Sequence, residues 1–193
     1  MPCLYVCPLS RLPETLAASG ARHLVTLATL GSPGLAIERP AGIAPEHHLR
    51  VGFSDIVAPM EGHLPPGEAH VRAVLDFASA WDRRRPLVLH CYAGISRSTA
   101  AAYAVACALA PERDAAELAQ ALRRLAPSAT PNRLFVAIAD RLLGRDGRMR
   151  AGIAAIGRGA EAFEGTPFRF VLDEGTFPPK NAGSPQEGAT RQG

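Results

Sequence analysis

His90-Cys91-Tyr92-Ala93-Gly94-Ile95-Ser96-Arg97-Ser98-Thr99 places a thiol, a glycine, a guanidinium and hydroxyl groups in one short run. The apolar stretch Pro86-Leu87-Val88-Leu89 leads in, and an alanine-rich stretch from Ala100 to Leu109 leads out. That order predicts strand, tight loop, helix. Such a loop aims backbone N–H groups at its centre, where the helix N-terminus also favours negative charge. A thiol held in such a place ionises more readily than a free one. A guanidinium grips a tetrahedral oxyanion through two parallel hydrogen bonds. Together these parts make an anion cradle with a nucleophile at its base. A cysteine buried in an inert strand–turn–helix would explain neither Arg97 nor Gly94.

The run His90-Cys91, five residues, Arg97-Ser98 resembles the signature loop of the protein tyrosine phosphatase superfamily. Within it, Ala93-Gly94-Ile95-Ser96-Arg97-Ser98 is similar to loops of the dual-specificity-like branch. The resemblance covers about Cys3 to Leu143. It implies an α/β fold with a mostly parallel central sheet flanked by helices. It also implies a phosphoric monoester hydrolase that removes phosphate from phosphotyrosine, and from phosphoserine or phosphothreonine if the pocket is shallow. The implied reaction runs through a cysteinyl-phosphate and is expected to need no metal or cofactor. Cys91 is then the nucleophile, and Arg97 with the amides of Tyr92, Ala93, Gly94, Ile95 and Ser96 binds the phosphoryl oxygens. Ser98 steadies the departing thiolate; its local alternative is a helix-start hydroxyl satisfying backbone groups. His90 orients the loop and helps to lower the thiol pKa.

The leaving oxygen needs a proton, and in the superfamily the acid lies some thirty to forty residues before the cysteine. Asp55 lies 36 positions upstream, just after the segment Val51-Gly52-Phe53. Glu61 is its competitor, and Glu68 reads as a first-turn helix charge. The bland reading of Asp55 is a turn-former at a strand end. Pro131-Asn132 resembles the turn that opens the family's last helix, with Asn132 supporting the loop and capping that helix. The receptor-type Trp-Pro-Asp motif is absent. The loop's variable positions, Tyr92, Ala93, Ile95 and Ser96, carry no charge, which argues against a highly anionic inositide substrate.

Elements must hold these residues in place. Short β-forming runs at 3–7, 23–27, 48–53 and 86–90 read as strands. Ser10 reads as an N-cap for a helix to about Ala18, with Gly20 after it. Helices are also expected over Glu68–Trp81, Arg97–Leu109, Asp114–Leu125 and Asn132–Leu143. The run 31–45 reads as loop, and 54–66 as a long Pro/Gly-rich connection of the kind that often carries function. Beyond Gly144 the pattern weakens, with a glycine-interrupted helix over Ala151–Phe163 and a strand or extended segment over Phe168–Leu172. One domain over 1–173 and a disordered tail over 174–193 are expected.

The chain has 193 residues, 47% hydrophobic and 20% charged, enough for one substantial core. Its net charge of +3 is too small to argue for a nucleic-acid or membrane partner. No signal peptide and no span of bilayer length is visible. The four cysteines lack zinc-type spacing, which fits a reducing cytoplasm and a live thiolate. The expected partner is a phosphorylated protein. Two other classes share a cysteine or anion cradle: rhodanese-like sulfurtransferases, and phosphoresidue-binding modules with little turnover.

Overall fold

A computed structural model describes residues 3–29 and 37–172. The expected tail, and part of the loop expected over 31–45, lie outside them. Five strands form one sheet: β1 (Cys3–Pro8), β2 (His23–Ala28), β3 (His48–Gly52), β4 (Leu87–Cys91) and β5 (Phe168–Val171). Their order is β3-β2-β4-β1-β5. β4 runs parallel to β1 on one side and to β2 on the other, so the strand that ends at Cys91 is central. All five of its residues are buried. Its uninterrupted apolar run is what a parallel strand covered on both faces requires.

Side chains alternate between two cores, as the period of two demands. Leu87, Leu89 and Cys91 face the larger core with Leu4, Val6, Val25 and Leu27. Val88 faces the smaller one with Cys7, Leu24 and Ile43. The larger core is roofed by α2 (Glu68–Ala80), α3 (Arg97–Leu109), α4 (Ala115–Leu125), α5 (Arg133–Leu142) and α6 (Arg148–Ile156). The other face is covered by α1 (Leu12–Ser19). Helix α3 is buried nearly all round, which its alanine content allows by letting neighbours approach closely.

The sheet is mostly parallel, as expected, with one antiparallel pair where β5 joins β1 at the sheet edge. Two expectations need correction. Ser10 does not cap α1: a short 3₁₀ turn over Leu9–Arg11 precedes that helix, and the Ser10 hydroxyl instead donates to Glu164 Oε2 at 2.7 Å. The expected helix over 151–163 starts earlier and stops at Ile156, where Gly157 (φ +64°) ends it. Its N-terminus is held by buried Asp140, whose carboxylate accepts from the amides of Gly147, Met149 and Arg150. That is a remote cap, which local sequence patterns do not announce.

Candidate active site

Four carbonyls of the loop from Cys91 to Arg97 are taken up by backbone partners around it. Tyr92 O accepts from Leu9 N at 3.1 Å, Ala93 O from Gly165 N at 2.8 Å, and Ile95 O from Thr130 N at 3.0 Å. Ser96 O accepts from Ala100 N at 2.9 Å. In a trans peptide the following N–H points the opposite way. The amides of Ala93, Gly94, Ser96 and Arg97 therefore face the loop's centre. Gly94 N confirms this by donating to Cys91 Sγ at 3.2 Å. Gly94 itself has φ +69°, and a Cβ there would stand 2.6 Å from Pro8 N. Only glycine fits both constraints.

Cys91 sits at the base, 3% exposed. Its sulfur lies 3.2 Å from Ser98 Oγ, so Ser98 faces the thiol rather than capping the helix. The N-cap position belongs to Ser96, whose side chain caps no amide either. The first turn of α3 thus keeps its N–H groups for whatever enters the cradle. Arg97 is 8% exposed. Its Nη1 donates to Phe53 O at 3.2 Å and to Thr29 Oγ1 at 3.4 Å, anchoring the guanidinium to the carboxyl end of the sheet. Its buried Nε has no partner among the described residues. A buried, unpartnered N–H on an anchored guanidinium suits an incoming oxyanion.

Asp55 reaches the loop from the turn after β3. Its Oδ1 accepts from Ser96 Oγ at 2.7 Å and from Asn132 Nδ2 at 2.8 Å. Asn132 is 3% exposed; its Oδ1 also accepts from Phe135 N at 3.0 Å, and its Nδ2 donates to Ile56 O. One side chain therefore caps α5 and holds the acidic loop. Glu61 is exposed in the turn closed by the Met60–His63 bridge and makes no hydrogen bond or ion pair among the described residues. Of the two carboxylates, only Asp55 is hydrogen-bonded to the loop. The expected set Cys91, Arg97, Ser98, Asp55, His90 and Asn132 is brought together, and the exposed Tyr92 stands at the rim.

His90 is fully buried, and its Nε2 is 2.7 Å from Thr26 Oγ1. The same hydroxyl is 2.8 Å from His48 Nε2. Strand register makes the chain possible: Thr26 lies opposite His90 in β4 and two residues from Leu24, which lies opposite His48. Burial pushes the His90 imidazole down to about 4, helped by the neighbouring His48 and Arg97, while the Cys91 backbone acts the other way. His90 is thus neutral at pH 7, so it sets no positive charge beside Cys91. His48 is also lowered, by burial and then by Arg50 and Arg39.

The segment after α6, expected as the rest of a glycine-interrupted helix, lies against the cysteine loop instead. It runs back along the loop: Gly159 N donates to Thr130 Oγ1, Ala160 N to Pro127 O, and Gly165 N to Ala93 O. A Cβ on Gly165 would stand 2.8 Å from Gly94 O. The signal was the glycine spacing itself, which reads as helix breaking until the partner backbone is seen. The contacts of Thr26, Thr29 and His48 have no local signal, since a threonine or histidine at or near a strand looks like any other until register sets its neighbours.

No protein-family model and no curated protein sequence matches the chain. Solved structures do. A phosphatase from Cydia pomonella, PTP-2, is similar with TM-score 0.56 and 17% identity, covering 72% of this chain and 84% of that one. Human DUSP28 is similar with TM-score 0.54 and 21% identity, over 74% and 92%. DUSP15 is similar with TM-score 0.52 and 19% identity, over 80% and 92%. The chain therefore has a fold similar to that of these solved phosphatase structures.

Proposed function

We propose that this protein is a cysteine-dependent, metal-independent protein phosphatase acting on phosphotyrosine, and on phosphoserine or phosphothreonine in the same pocket. The observation that carries the reading is the convergence on one loop of Cys91 Sγ, the inward amides, the free edge of Arg97 and the Asp55 carboxyl. The thiolate attacks phosphorus in line with the leaving oxygen. The S–P bond forms as the P–O bond breaks. The inward amides and Arg97 bind the equatorial oxygens, where charge stabilisation counts most. Asp55, as general acid, gives a proton to the leaving oxygen. As a carboxylate it then takes a proton from water, which attacks the cysteinyl-phosphate. The S–P bond breaks, inorganic phosphate leaves, and the Ser98 hydroxyl donates to the released thiolate.

Four free, buried cysteines fit a reducing compartment such as the cytoplasm. No helix among the described residues is long and apolar enough to cross a membrane. The test is hydrolysis of 4-nitrophenyl phosphate in the presence of a chelator. The wild type turns over and Cys91→Ser does not. Undiminished turnover by Cys91→Ser, or phosphate binding without any hydrolysis by the wild type, would overturn the reading.

A further inference from the structure

A groove of about 1140 Å³ opens beside the cysteine loop, and it shares Asp55, Ser96 and Asn132 with the loop's wall. One bank is the acidic loop, with Val57 and Met60 more than half exposed. The other bank is the segment after α6, where Phe163 is 88% exposed. Three large apolar side chains facing water around one groove are unusual for a surface that binds nothing. Arg133, the first residue of α5, lines the groove and makes no ion pair or hydrogen bond among the described residues. Arg158 also lines it, paired only loosely with Glu161 at 3.7 Å between two largely exposed side chains.

We infer that this groove binds the polypeptide flanking the phosphoresidue, taking an apolar side chain against Phe163 and Met60 and an acidic one at Arg133. The inference rests on the phosphatase reading above. A phosphoryl group seated over Cys91 carries the rest of its substrate out past Asp55 and Ser96, so the substrate's own chain is what reaches the groove. Charge selects the kind of chain. Arg133 and Arg158 attract an anion, whereas Glu161 and Asp55 on the same walls repel a densely anionic surface. An anionic phospholipid headgroup array meets both signs at once, while a peptide with one carboxylate beside an apolar residue satisfies the arginines without approaching Glu161. Burying one apolar side chain supplies discrimination of about tenfold or more.

The test compares kcat/KM for phosphotyrosyl peptides carrying leucine and glutamate near the phosphotyrosine with peptides carrying serine and lysine there. Values are divided by kcat/KM for 4-nitrophenyl phosphate on the same preparation. The wild type prefers the leucine–glutamate peptides by about tenfold. Phe163→Ser removes the leucine preference, and Arg133→Glu reverses the charge preference toward lysine, a swap that misfolding does not produce. Turnover of the aryl phosphate with no difference between peptides, in the wild type or in Arg133→Glu, overturns the inference and leaves the phosphatase reading intact. A preference for phosphoinositide in mixed vesicles that these two variants abolish, with peptides unaffected, overturns it in favour of a lipid. Failure of the wild type to hydrolyse any of these substrates overturns the phosphatase reading itself.

Discussion

Asn132 Nδ2 donates to Asp55 Oδ1 at 2.8 Å, across 77 positions of sequence. The same residue caps α5 and is almost wholly buried, so its amide is held by packing rather than by the contact it serves. The proposed acid is thus aimed by a helix cap. Asn132→Ala frees the acidic loop and lowers kcat between about 10- and 100-fold, the cost of a misplaced catalytic group. Steady-state kinetics on aryl phosphates checks this, and thermal melting separates lost aim from lost fold.

Asp55→Asn keeps the contacts near Ser96 and Asn132 but cannot give a proton. The expected loss is about 10²–10⁴-fold on substrates with poor leaving groups and much less on 4-nitrophenyl phosphate. A plot of log kcat against leaving-group pKa therefore steepens in this variant. A steepening produced by Glu61→Gln instead would move the acid to the exposed turn.

Much of this was legible in advance. The strand–loop–helix around Cys91 follows from an apolar run, a glycine and an alanine-rich run, all local signals, and the strands at 3–8, 23–28, 48–52 and 87–91 carry β-forming residues over their own lengths. The superfamily's spacing points to Asp55 as the carboxylate near the cysteine loop, and its Oδ1 meets Ser96 Oγ there. The partners of the site were not: Thr26 looks like any strand residue until register sets it opposite His90, and Ser10 looks like a cap until Glu164 arrives from the far end of the chain. Gly165 was unreadable for the same reason. A glycine needed for close approach to another backbone cannot be told from a loop glycine without that backbone.

The backbone of Gly94 is left-handed and pressed against Pro8. Gly94→Ala carries about 1–2 kcal/mol of conformational strain, and its Cβ must also push β1 away from the loop. Activity is lost even where the protein still folds. The melting temperature and the turnover of a slow aryl phosphate measure the two effects separately.

His90 couples stability to pH. Its folded-state pKa, about 4, lies below its ordinary 6.5. The unfolded chain therefore takes up a proton near pH 6.5 that the folded chain refuses until about pH 4. Stability is full above pH 6.5 and falls by about 3 kcal/mol as the pH drops to 4. Urea denaturation at pH 7.5 and at pH 5 should show a larger drop in midpoint for the wild type than for His90→Gln. Equal drops would mean that His90 is not buried as a neutral ring.

The central claim is a phosphoryl group carried by Cys91, and Ser98→Ala is the variant in which it should linger, because the hydroxyl 3.2 Å from the sulfur no longer receives the departing thiolate. Rapid acid quench of Ser98→Ala with an aryl phosphate, followed by peptide mass mapping, is expected to find phosphate on the peptide containing Cys91, with a burst of the aryl product before the steady state. Turnover with neither burst nor label on that peptide would contradict the account.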